Sequence, residues 1–113
     1  MIVSKKTISP SGWGDGCLAW DLLSAPDLCV KHEEMPSGTC EIRHYHARAR
    51  QFFFVLDGEL TMVVDAVHHV LSKAQGIAVD PGQIHQARND ADGPVEFLVI
   101  SAPSTAADRI ENV

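Results

Sequence analysis

Apolar runs in this chain are short, and Gly, Pro or Asp-Gly closes each of them within a few residues. No stretch carries the 3.6-residue apolar period of an amphipathic helix. Residues 17–23 stop at Ala25-Pro26-Asp27, and residues 28–35 stop at Pro36-Ser37-Gly38. Residues 39–46 alternate, with Ile42, His44 and His46 on one side. Residues 51–56 are strongly β-prone and end at Asp57-Gly58, the clearest hairpin signal, answered by residues 60–64. Asp65-Ala66 turns into 67–71, and 77–79 precedes Pro81-Gly82. Residues 84–89 precede a polar loop ending in Gly93-Pro94, and 95–101 is a last strand closed by Pro103. Many short strands with turn signals between them predict an all-β barrel or sandwich.

With 113 residues, 45% of them hydrophobic, the chain suits one domain with a real core. The expected division is an irregular, glycine-dense arm over 1–16, a barrel over 17–103 and a short polar tail over 104–113. The arm is a candidate for dimer contacts, and the tail is expected to matter little. The net charge of −6 argues against a nucleic-acid partner, because phosphate binding needs a basic face. The three cysteines are odd in number and lack CxxC spacing, so they read as reduced thiols. No signal-peptide pattern and no run of 18 apolar residues is present, which predicts a cytoplasmic protein away from membranes.

Within this β pattern, His44 and His46 share a side, Gln51 lies in the next apolar run and His85 follows Pro81-Gly82. Three imidazoles and a carboxamide that converge make a divalent metal site, and three or four protein ligands leave positions open as catalytic sites do. Arg48 and Arg50 flank the ligand loop and are candidates to receive a carboxylate or phosphate. Phe53 shares parity with Gln51 and is expected to narrow the cavity, with Met62 a further lining candidate. Phe52, Phe54 and Tyr45 point outward on the same parity argument, as a patch suited to a homodimer or to cover by the arm. His68-His69 face opposite ways and read as a surface hairpin; His32 is isolated.

The spacing Gly38-x5-His44-x-His46-x4-Gln51-x6-Gly58 resembles the first motif of the cupin family, with glutamine in place of the usual glutamate. Gly82-x2-His85-x3-Asn89 resembles the end of the second motif, while Ala74 and Asp80 replace a usual glycine and proline. The resemblance runs over about residues 20–103. It implies a jelly-roll (double-stranded β-helix) barrel with one divalent metal (Zn, Fe, Mn, Ni or Co) held by His44, His46, Gln51 and His85. Four neutral ligands leave the full positive charge on the ion, which favours Lewis-acid chemistry on a small, polar, anionic or sugar-acid-like molecule. An isomerase or tautomerase is the leading expectation. A metal-dependent dioxygenase and a non-catalytic binding or sensing barrel are the alternatives. The sequence names no general base.

Overall fold

A computed structural model describes residues 1–113. Nine strands form: β1 (Ser11–Trp13), β2 (Cys17–Ser24), β3 (Cys29–Met35), β4 (Arg50–Asp57), β5 (Leu60–Val64), β6 (Val67–Leu71), β7 (Gly76–Val79), β8 (His85–Arg88) and β9 (Val95–Ala102). No helix is present, and so none is long and apolar enough to cross a membrane. A six-stranded sheet runs β1-β2-β3-β9-β4-β7 and a three-stranded sheet runs β6-β5-β8; every pairing is antiparallel. Alternation builds the core. Val95, Phe97, Val99 and Ser101 of β9 point inward, as do Gln51, Phe53 and Val55 of β4, while Leu60 and Met62 answer from the small sheet. Aliphatic and aromatic groups thus fill one end of the barrel, and polar groups on the same inward faces occupy the other.

Two local expectations change. The turn at Asp57-Gly58 forms, but β4 and β5 do not pair across it: β4 lies between β9 and β7, and β5 crosses to the other sheet. Leu60 and Met62, both fully buried, reach the core only from the facing sheet, so burial overrides the local hairpin signal. The two-residue hairpin lies instead at Asp65-Ala66, whose φ values of 48° and 67° suit the turn that matches strand twist. Residues 39–46 are not one strand. They form only isolated bridges, Cys40 to Arg88, Tyr45 to Ile110, and His44 to His85 with mutual N–H···O bonds of 3.1 and 2.9 Å. Ile42 is 61% exposed while His44 and His46 are buried, so the expected common side breaks at Ile42.

The ends of the chain pack on the barrel. Lys5 pairs with Glu96 and lies 5.0 Å over the Trp20 ring, covering part of the large sheet's outer face. The tail, expected to matter little, returns to exchange N–H···O bonds of 3.0 and 2.9 Å between Tyr45 and Ile110.

Gly58 has φ +86°, and a Cβ there would stand 2.5 Å from the Pro94 carbonyl oxygen. Gly58→Ala should therefore cost at least about 2 kcal/mol, because left-handed strain adds to a backbone clash. Ala66→Gly should instead stabilise by a few tenths of a kcal/mol, since it removes only strain. Urea unfolding of both variants against the wild type measures the two signs.

Candidate metal centre

His44 and His46 enter from the β3–β4 loop and His85 from the start of β8. The mutual backbone bonds of His44 and His85 bring their rings to a 4.3 Å centroid separation; His46 lies 4.9 Å from His44 and 5.5 Å from His85. One ligand atom from each ring falls within 4.8 Å of the other two, and all three residues are buried.

Backbone carbonyls set which nitrogen is free. His44 Nδ1–H donates to the Ile42 carbonyl at 2.7 Å, His46 Nδ1–H to that of Asp108 at 2.6 Å and His85 Nδ1–H to that of Gln83 at 2.9 Å. In a neutral imidazole with Nδ1 protonated, Nε2 carries the lone pair. Burial lowers His44 to about 3 and also lowers His85, so both rings are neutral near pH 7. Each ring therefore offers Nε2 to the shared space, where His44 Nε2 already has Arg109 Nη1 at 3.4 Å. The His46 Nε2 is buried with no partner at all, an arrangement that costs free energy unless something electron-poor occupies the centre.

Gln51 lies opposite Ser101 on β9. Its amide nitrogen donates to Ser101 Oγ at 3.1 Å, which leaves Oε1 3.0 Å from His85 Nε2. With His85 Nδ1–H already donated, two acceptors meet there without a proton between them. The donor set of three imidazole nitrogens and one amide oxygen fits a borderline divalent cation, with backbone carbonyls fixing each ring as outer partners do around bound metals.

A cavity of about 120 Å³ opens on His44, His46, Gln51 and Phe53. Phe53 lines it as expected, its ring 6.1 Å from that of His85. Met62 does not line it, being fully enclosed in the core. Arg48 and Arg50 are exposed and face a groove outside the barrel, where Arg50 Nε lies 3.2 Å from Asp80. The cations at the cavity are instead Lys31 and Arg109, and two carboxyls, Glu33 and Glu41, line it as well. Arg109 Nη1 lies 3.4 Å from His44 Nε2. Glu41 accepts a 2.9 Å bond from the Ala87 N–H, and burial still pushes its carboxyl up to about 8. Burial pushes Glu33 up to about 7.

Three of these four, Lys31, Glu33 and Arg109, carry no signal in the sequence for two reasons. Over residues 28–35, Leu28 and Val30 suggest that even positions face inward, whereas Lys31, Glu33 and the fully buried Met35 share the inward parity. A strand that presents charge to a cavity imitates one that presents it to water. The tail gives no periodic signal, although Asp108 fastens it firmly. The Asp108 carboxylate accepts from the N–H groups of Ala47 at 2.8 Å, Arg48 at 3.0 Å and Ala49 at 3.0 Å. Desolvation raises this carboxyl, but the N–H groups of Ala49, Arg48 and Ala47 outweigh it and hold it below its ordinary value.

Asp108→Ala should cost about 1–3 kcal/mol in urea unfolding, since three N–H groups lose a charged acceptor. Glu41→Gln should be neutral near pH 4.5 and stabilising at pH 8.5. The folded protein holds the Glu41 proton up to about pH 8, whereas the unfolded chain releases it near 4.5. The wild type thus loses this contribution as pH rises through that window, and the amide does not. Melting of both proteins across this range, with chelator present, checks the sign.

A search of the curated proteins finds no match to the sequence. Solved structures match it well. A sugar phosphate isomerase of the cupin superfamily from Silicibacter pomeroyi shares 24% identity at a TM-score of 0.79, over 92% of this chain and 76% of that one. A predicted oxalate decarboxylase from Thermotoga maritima gives 18% and 0.85, over 92% and 100%. KdgF from a Halomonas species gives 16% and 0.83, over 89% and 91%. At these identities the likeness is one of fold. The cupin-domain family model matches residues 31–101, well over half of the sequence and including all three histidines, and the chain belongs to the cupin family.

Proposed function

We propose that this protein is a metal-dependent enzyme whose divalent ion, held by His44, His46, Gln51 and His85, serves as a Lewis acid on a small anionic molecule in isomerase- or tautomerase-type chemistry. The observation that carries the reading is the cluster of three buried histidines, one ligand atom of each within 4.8 Å of the other two, with His46 Nε2 buried and unpartnered. When bound, the ion would supply charge stabilisation to a carbonyl or hydroxyl oxygen. Neutral ligands leave that charge undiminished, because the usual carboxylate is a carboxamide here. Lys31 and Arg109 at the same cavity support an anionic partner. The stacked rings of Phe52 and Phe54, 6.3 Å apart, with Phe52 40% exposed, support a homodimer through the outer face of β4.

One feature favours a metal-free binding barrel. A half-turn of the Gln51 amide would let it donate to His85 Nε2 and accept from Ser101 Oγ. That rotation satisfies His85 but leaves His46 Nε2 bare, so it accounts for less of the geometry.

Metal analysis of the purified protein should return close to one equivalent, absent from His44→Ala and His85→Ala. Gln51→Glu should tighten binding by adding a charge to the ligand set. Full metal content in both histidine variants overturns the site, and weaker binding in Gln51→Glu overturns the role of Gln51.

A further inference from the structure

The metal-binding residues and Arg109 account for charge at the cavity but leave no group to move a proton. We propose that Glu33 is that group: it carries a proton between the carbon beside a carbonyl and the carbonyl oxygen in a small 2-keto acid whose carboxylate pairs with Arg109. This rests on the metal-centred reading above and assigns that site its acid–base residue and its substrate class.

Register places Glu33. It pairs with Phe97 on β9, one inward position from the buried Met35 and one from Lys31, which pairs with Val99. Glu33 therefore stands where the apolar end of the barrel gives way to the cavity that holds His44, His46 and Gln51. Its carboxyl has no hydrogen-bond partner, whereas Glu41 has an oxygen bound to the Ala87 N–H. The other candidates are set aside by placement: Lys31 pairs with Asp21 at 3.8 Å, and Tyr45 does not line the cavity. Glu33 is thus the cavity carboxyl with both oxygens free. The charged groups around it are Lys31 of its own strand, Asp21 of β2, Arg109 of the tail and Glu41 of the β3–β4 loop; β9 offers Phe97 and Val99. Burial raises its carboxyl, Lys31 and Arg109 draw it down and Asp21 raises it, leaving it at about 7, so acid and base forms coexist near neutrality.

Arg109 donates through Nε to Glu111 at 2.6 Å and presents Nη1 beside His44. A guanidinium so held still has N–H groups to offer a carboxylate. The chemistry balances without a co-reactant. The Glu33 carboxylate takes a proton from the carbon next to the carbonyl. The C–H electron pair becomes the carbon–carbon π bond, and the carbonyl π pair moves to oxygen. Protonated Glu33 then returns the proton to that oxygen, giving the enol, and the reverse restores the ketone.

A second cavity, of about 350 Å³, shares Lys31, Glu33, Glu41 and Arg109 with the first and adds Trp13 and Ser11. The Trp13 indole N–H is buried and has no partner. The inner space of about 120 Å³ suits a keto-acid head, and the outer one a hydroxylated chain that could accept from that N–H.

The test uses zinc-loaded protein with pyruvate in D2O, following loss of the methyl proton signal by NMR. The wild type should exchange the methyl protons faster than the same concentration of free zinc. Glu33→Gln should lose about 100-fold or more of that rate at unchanged zinc content, and Glu33→Asp should recover part of it. Arg109→Gln should raise the pyruvate concentration for half-maximal rate and leave the maximal rate largely intact. Infrared titration of the metal-free protein reads Glu33 without turnover: of two carboxylic-acid bands in the wild type, the one that fades through about pH 7 should be missing from Glu33→Gln, while that of Glu41, fading near pH 8, remains. Bound zinc with no exchange, or with equal exchange in Glu33→Gln, overturns the proposal. Failure to bind zinc overturns the metal site, and the proposal with it.

Discussion

Three N–H···O=C bonds, from His44 to Ile42, His46 to Asp108 and His85 to Gln83, decide the character of this barrel's interior. Each fixes a ring plane and a tautomer, so each exposes one basic nitrogen. The carbonyls come from the β3–β4 loop, the tail and the β7–β8 turn. The centre therefore exists only when three separate parts of the chain have closed around it. Burial lowers His44 and His85 toward the neutral form, which limits repulsion between cations, while His46 Nε2 stays buried without a partner. A fold that keeps such an arrangement in its dry interior must recover the cost elsewhere, and the enclosed apolar cluster around Phe97, Met35, Leu60 and Met62 is where most burial is concentrated.

The tail makes this dependence concrete. Asp108 has two roles through two different groups. Its carboxylate caps the N–H groups of residues 47–49, which fixes the loop just after His46, and its carbonyl holds the His46 ring. The next residue, Arg109, then lies against His44. A few residues without regular structure thus orient one ring, brace the loop that carries two, and deliver a cation to the cavity. Barrel strands alone would leave His46 free to turn.

Much of this was legible from the residues. Strand positions followed from alternation and turn chemistry, and nearly every run bounded by Gly or Pro became a strand. The spacing of His44, His46 and His85 marked a cluster that the folded chain does bring together. Phe53 pointed inward as its parity with Gln51 required. What stayed hidden was set by tertiary choice. Asp57-Gly58 carries the local chemistry of a hairpin, but no local signal says that β5 will leave for the opposite sheet. Arg48 and Arg50 lie close to the site in sequence, but Arg50 has the opposite strand parity to Gln51 and so faces outward, where it pairs with Asp80. Lys31, Glu33 and Arg109 go unmarked in the sequence, since a hydropathy pattern cannot separate a polar cavity wall from a polar surface.

The substitution of glutamine for the family's usual glutamate gains its meaning from that hidden layer. Removing the carboxylate from the ligand set does not remove negative charge from the barrel, because Glu33 and Glu41 line the same cavity beside Lys31 and Arg109. Of the four charged residues, two are permanent cations and two are carboxyls that burial keeps partly protonated near neutral pH. The surroundings are thus electropositive when the carboxyls hold protons and close to balanced when they do not. A divalent ion at the centre would favour the ionised carboxyls, since Coulomb attraction over several ångströms of poorly solvated space is strong. An arriving anion would do the reverse. On the proposed function, ion, anion and carboxyl proton would be linked through one small volume, and a carboxylate bound directly to the ion would weaken that linkage by neutralising the charge at its source.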